Sequence, residues 1–104
     1  MTIDLKNYST PGAIFLSGRP KGEGIRNEIG LDRVDTSETV IVEIPDSIIS
    51  LNSSFFLGLF GPSVRKLGPE EFRRRFSFNG PAAIYRDIDD GVRQALKDSN
   101  PLKV

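Results

Sequence analysis

The stretch Thr39-Val40-Ile41-Val42-Glu43-Ile44 constrains the fold more than any other part of the chain. Its β-branched residues are nearly continuous, which is the composition of a strand buried inside an α/β layer. Val40 to Ile44 is therefore expected as a central strand covered on both faces. Pro45-Asp46 ends it, and Ile48, Ile49 and Leu51 bring the chain back toward the core. After Asn52, from Ser53 onward, Phe56, Phe60, Val64 and Leu67 recur at helical spacing. Pro62 is expected to kink or split that helix, because it lacks an N–H and crowds the carbonyl four residues back.

The remaining segments alternate in the same way. Ile3 to Tyr8 reads as an edge strand and Ala13-Ile14-Phe15-Leu16 as a second strand or its approach, with the turn Ser9-Thr10-Pro11-Gly12 between them. Gly18-Arg19-Pro20-Lys21-Gly22-Glu23-Gly24 reads as a flexible loop, followed by a helix from Ile25 to Leu31. Gly68 ends the long helix, and Pro69 opens a short one with Glu70 and Glu71 in its first turn. Phe76-Ser77-Phe78 is a short strand and Asn79-Gly80-Pro81 a turn. The last helix is expected over Ala82 to Asp98, with Ile84, Ile88, Val92, Ala95 and Leu96 inward and the pairs Arg86–Asp90 and Asp89–Arg93 outside. Alternating strands and helices imply an α/β layer with parallel strand pairs. A length of 104 residues suits one domain, 1–104, with 1–8 and 99–104 at its periphery.

Composition removes whole classes of chemistry. The chain has no cysteine, which excludes a disulfide framework, a thiolate metal site and a catalytic thiol. It has no histidine, the commonest general base and metal ligand. No enzymatic activity, metal or cofactor is therefore expected. Fourteen basic and fourteen acidic residues balance, so no global field draws in nucleic acid. The N-terminus does not read as a signal peptide, and no apolar run approaches the ~20 residues of a membrane span. A cytoplasmic location follows as the expectation.

Three places carry candidate chemistry. Asn52, Ser53, Ser54 and Phe55 stand where a helix opens, beside free N–H groups and the positive end of the dipole. A hydroxyl there can cap the helix, hold an anion or accept a phosphate. Arg19, Lys21 and Arg26 in the glycine-rich stretch could contact an anion, although the order of a phosphate-binding loop is missing. Arg65, Lys66, Arg73, Arg74 and Arg75 cluster within eleven residues; their neighbours Phe72, Phe76 and Phe78 read as core, so a solvated face or a partner patch fits better than a nucleic-acid platform. Asp87, Asp89 and Asp90 have basic partners on their own helix and lack metal-loop geometry.

These residues together resemble the STAS-like domain family, related to the STAS domains of anti-sigma factor antagonists. The match runs through Arg19, Gly22 and Arg26, the strand Val40 to Ile44, Ser53-Ser54-Phe55, Phe60-Gly61-Pro62, Leu67-Gly68, Phe72, and Phe76 to Phe78 with Asn79. It covers about Leu16 to Leu96. The resemblance implies a mixed sheet of about four strands with helices packed mainly on one face. It also implies a bacterial or phage-borne regulatory module without catalysis of its own, acting beside a histidine-kinase-like ATPase of the GHKL type. In STAS domains the loop before the helix reads Asp-Ser-Ser/Thr-Gly, and the kinase phosphorylates its serine. By position that serine is Ser53, with Asn52 in place of the aspartate and Phe55 in place of the glycine. Two functions are then expected in order. The first is a protein-interaction module that binds a partner through the helix opening at Ser53, with Asn52, Ser54 and Phe55 in the contact and serine phosphorylation as a switch. The second is a nucleotide- or anion-binding module built on residues 18–26 and the same helix N-terminus.

Overall fold

The computed structural model describes residues 1–34 and 37–98. Three strands form one sheet: β1 (Thr2–Asp4), β3 (Val40–Glu43) and β5 (Phe76–Asn79), with β3 in the middle. Both pairings are parallel, Ile3 lying opposite Val42 and Val42 opposite Phe78. A second, two-stranded parallel ribbon joins β2 (Phe15–Leu16) to β4 (Ser50–Leu51). Four helices complete the α/β fold: α1 (Arg19–Ile29), α2 (Ser53–Leu67), α3 (Pro69–Arg75) and α4 (Ile84–Asp98). The mixed sheet of about four strands is thus replaced by five short strands in two parallel sheets.

The expected strand Val40–Ile44 is central, but only one of its faces is covered. Val40 and Val42 are buried while Ile41 between them is 37% exposed. Thr2 and Ser77, its register partners, are exposed as well. Residues 1–8 are not peripheral: Ile3 on β1 and Leu5 in the 3-10 turn that follows are core side chains. The tail 99–104 lies outside the described residues.

Helix α2 runs between α1 and α4 and is buried on almost every side. Its Phe56 and Phe60 meet Phe72, Phe76 and Phe78 in one aromatic cluster, with Phe60 edge-on to Phe76 (5.7 Å) and to Phe78 (5.3 Å). Such pairs contribute about 0.5–1.5 kcal/mol each beyond their buried area. Ile84, Ile88 and Val92 of α4 join the same core, whereas Leu96 reaches the surface. Pro62 does not split α2, which continues to the Gly68 cap. Packing on both flanks holds the helix through the missing hydrogen bond.

The glycine-rich stretch is not a loop. Helix α1 begins at Arg19, after Gly18 at φ 98°, and carries Pro20 in its first turn. Gly22, of poor helix propensity, sits inside it because the neighbouring helix leaves no room for a side chain. A Cβ on Gly22 would lie 2.4 Å from the Phe55 carbonyl oxygen, and one on Gly58 of α2 would lie 2.3 Å from the Arg19 carbonyl oxygen. The backbones of α1 and α2 therefore touch through facing glycines. Gly24, in contrast, has open space around it.

Opposite outcomes are expected at the two helical glycines. Gly22→Ala should destabilise by about 1–3 kcal/mol, because the helices must separate. Gly24→Ala should stabilise by about 0.5–1 kcal/mol, because only the entropy of the unfolded chain changes. Urea melts of both variants check this; equal shifts in the same direction would show that the helices are not in backbone contact.

Candidate functional site

The two parallel strands of the ribbon end side by side, and a helix leaves from each. Leu16 pairs with Leu51, and the Asn52 N–H donates to the Leu16 carbonyl at 2.8 Å. Three residues past Leu16 α1 has begun; two past Leu51 α2 has begun. Further along, Gly22 packs against Phe55 and Leu59, and Arg26 reaches Leu59 and Ser63, so the two helices run in the same direction. Their N-termini, with their unpaired N–H groups and positive dipole ends, accordingly share one end of the molecule.

Asn52 is the cap of α2. Its Oδ1 accepts from the Ser54 N–H at 2.8 Å, and its own carbonyl accepts the Phe56 N–H at 3.0 Å. Ser53 is the first helical residue, and Asn52, Ser53 and Ser54 are all exposed. Phe55 is corrected from partner contact to core: it is fully buried, so its side chain is closed to any surface ligand. The first turn of α2 holds no acidic residue. The Asp87 carboxylate on α4 approaches the ribbon, but accepts the Leu51 N–H at 2.8 Å.

The basic residues of the glycine-rich stretch divide. Arg19 and Lys21 are exposed on the first turn of α1, Arg19 lying 3.8 Å from the Glu23 carboxylate. Arg26 is corrected from anion contact to structural clamp. It is only 7% exposed; its Nη1 donates to the Leu59 carbonyl at 2.7 Å and to Ser63 Oγ at 3.0 Å, and its Nε donates to Asp32 Oδ1 at 2.7 Å. A buried guanidinium is tolerated only with such partners. Much of the later basic cluster is also paired, though nearer the surface. Arg74 and Arg75 both bind Glu71, Arg75 also donates to the Ser37 carbonyl at 2.8 Å, and Arg73 binds Asp89 at 2.9 Å. The outer face of α4 therefore pairs differently from expectation: Asp89 is taken by Arg73 from another helix, and Arg93 by Asp90 one turn away. Among the described residues no group of three or more carboxylates is placed to hold a metal ion.

Three side chains at this end were not anticipated. Ile14 is 45% exposed, Phe15 57% and Ile49 56%, and the Ile49 N–H donates to the Ile14 carbonyl at 2.8 Å. They leave apolar surface on both faces of the ribbon whose two strands run into the starts of α1 and α2, Ile14 and Ile49 on one face and Phe15 on the other. The sequence carried a signal for it. Adjacent residues of a strand point to opposite faces, so apolar pairs such as Phe15-Leu16 cannot both reach one core.

The cap and the candidate switch are separable by substitution. Asn52→Ala should cost about 0.5–2 kcal/mol, as loss of the capping oxygen. Ser53→Ala should change stability by less than about 0.5 kcal/mol, as an exposed side chain with no capping role. Thermal melting distinguishes them, and a larger loss for Ser53→Ala would reassign the cap. Comparison with family models, with curated proteins and with solved structures finds no match for the chain, so what this end does must be read from its own chemistry.

Proposed function

We propose that this protein is a small regulatory interaction module of the STAS-like, anti-sigma-antagonist type, working in the cytoplasm and binding a protein partner with the end of the molecule where α1 and α2 begin. The observation that carries the reading is the juxtaposition of exposed Ser53 and Ser54 with exposed Ile14, Phe15 and Ile49. An apolar patch rimmed by polar groups is the physical signature of a contact surface. A hydroxyl at the rim makes that contact switchable. Phosphate on Ser53 would add roughly −1.5 to −2 charge next to the patch. The fold would tolerate it, because it lies at the positive end of α2 with no acid in the first turn. An apolar contact would not, because desolvating that charge is costly. The partner implied by the family resemblance is a histidine-kinase-like ATPase. The anion-binding alternative loses support from the engagement of Arg26 and from the helical form of the glycine-rich stretch.

The test is Ser53→Asp. The variant should melt within about 1 kcal/mol of the parent, since the new carboxylate complements the dipole. Its affinity for a partner isolated by cross-linking on the parent protein should fall about tenfold or more, a difference of ~1.4 kcal/mol. Phe15→Ala should weaken capture to a similar degree at unchanged stability. Undiminished binding by Ser53→Asp would reduce Ser53 to a surface residue without a switching role.

A further inference from the structure

The ribbon has one open edge. In a parallel ladder the backbone groups of a strand alternate between its two sides. The Ile14 and Leu16 carbonyls of β2 face β4, accepting from Ser50 (3.3 Å) and Asn52 (2.8 Å). The N–H and C=O of Phe15, between them, face away from β4 and pair with no described residue. The far side of β4 is closed by α4, where Asp87 takes the Leu51 N–H. Phe15 thus offers a free donor, a free acceptor and its own exposed ring at one position.

The size and charge of the surroundings specify an occupant. Exposures of 45%, 57% and 56% at Ile14, Phe15 and Ile49 leave on the order of 300 Å² of apolar surface in all, divided between the two faces of the ribbon. A stable association of two folded proteins buries ~800 Å² on each partner, so the patch does not suit a second copy of this chain. It suits a short extended segment, whose backbone makes up in hydrogen bonds what the area lacks. Beyond β2 the surface turns positive. Arg19 and Lys21 stand on the first turn of α1, and neither α1 nor α2 has an acid in its first turn. Near the helix starts Glu23 pairs with Arg19 and Asp87 accepts the Leu51 N–H, whereas the opposite end of the ribbon carries the exposed Asp46, next to Ser47, whose hydroxyl donates to the Ala13 carbonyl.

From this geometry we propose that β2 accepts an added strand from a partner: an extended segment with apolar side chains at alternate positions and Asp or Glu at the end that meets the starts of α1 and α2. The proposal rests on the reading that this end of the molecule is the partner face, and names the chemistry of what docks there. It also explains how a phosphate on Ser53 would act, since it would cancel the positive field that the acidic segment meets.

The probe is a fluorescein-labelled peptide, Glu-Glu-Val-Ile-Val-Thr-Glu-Glu, compared with the same peptide carrying Lys for every Glu, and with versions N-methylated at one backbone nitrogen at a time. Anisotropy should give at least about tenfold tighter binding for the Glu peptide than for the Lys peptide, the gap closing at about 0.5 M salt as charges are screened. N-methylation should abolish binding at alternate positions only, and the Phe15 amide resonance should shift on titration. Phe15→Ala should weaken binding, while Ile41→Ala on the open sheet face should not. Equal binding of the two peptides, indifference to N-methylation, or an unmoved Phe15 amide at saturating peptide overturns the proposal. If the Glu peptide fails while Ser53→Asp still loses its captured partner, strand addition is wrong and the partner face stands. If Ser53→Asp and Phe15→Ala both retain that partner, the partner face is wrong, whatever the peptide does.

Discussion

The contact on which the rest of the structure depends is the backbone approach of α1 to α2. Facing glycines let the two helices meet without side chains between them, at distances where a single methyl group would collide with a carbonyl oxygen. Arg26 then closes the seam from one end, taking a carbonyl and a hydroxyl of α2 together with a carboxylate of its own segment. Because α1 leaves from β2 and α2 from β4, this contact fixes the ribbon as well. It sets two helix starts, two strand ends and an exposed apolar patch at one end of the molecule. Interiors pack as solids, so a small error in helix spacing would be felt at the candidate site about one turn away.

The sequence was most legible where pattern and tertiary environment agree. The apolar run at Val40 and the periodicity of Ile84, Ile88 and Val92 identified β3 and α4 because burial there follows the local repeat. It misled where tertiary contacts override local preference. Gly18 to Gly24 has the composition of a loop, and nothing local reveals that Gly22 is needed for close approach to a residue far along the chain. Pro62 signals a break, yet the helix persists because both flanks are packed. A near-continuous apolar strand implies cover on two sides; here the sheet is small, and Ile41 faces outward instead.

The candidate site was legible in its polar part alone. Asn52, Ser53 and Ser54 announce a helix start from composition, although which residue caps is decided by backbone angle: Asn52 is extended and Ser53 already helical. Phe55 looked available because it follows exposed residues, but the helical turn carries it inward. Ile14, Phe15 and Ile49 looked like core because apolar residues usually are. Their exposure follows from a ribbon only two residues long on each strand, which can bury Leu16 and Leu51 and little else.

The parallel pairing of every strand has a kinetic consequence. Among the described residues no two strands are joined by a hairpin, so none of these pairs forms by a local turn. The ribbon in particular joins Phe15 to Ser50 across α1 and β3, and loops of that length close late and at an entropic cost. The free edge at Phe15 accordingly comes into being only once the intervening helix and strand are in place. A partner that reads this edge reads the completed fold, and a nascent or unravelled chain presents it with nothing to bind.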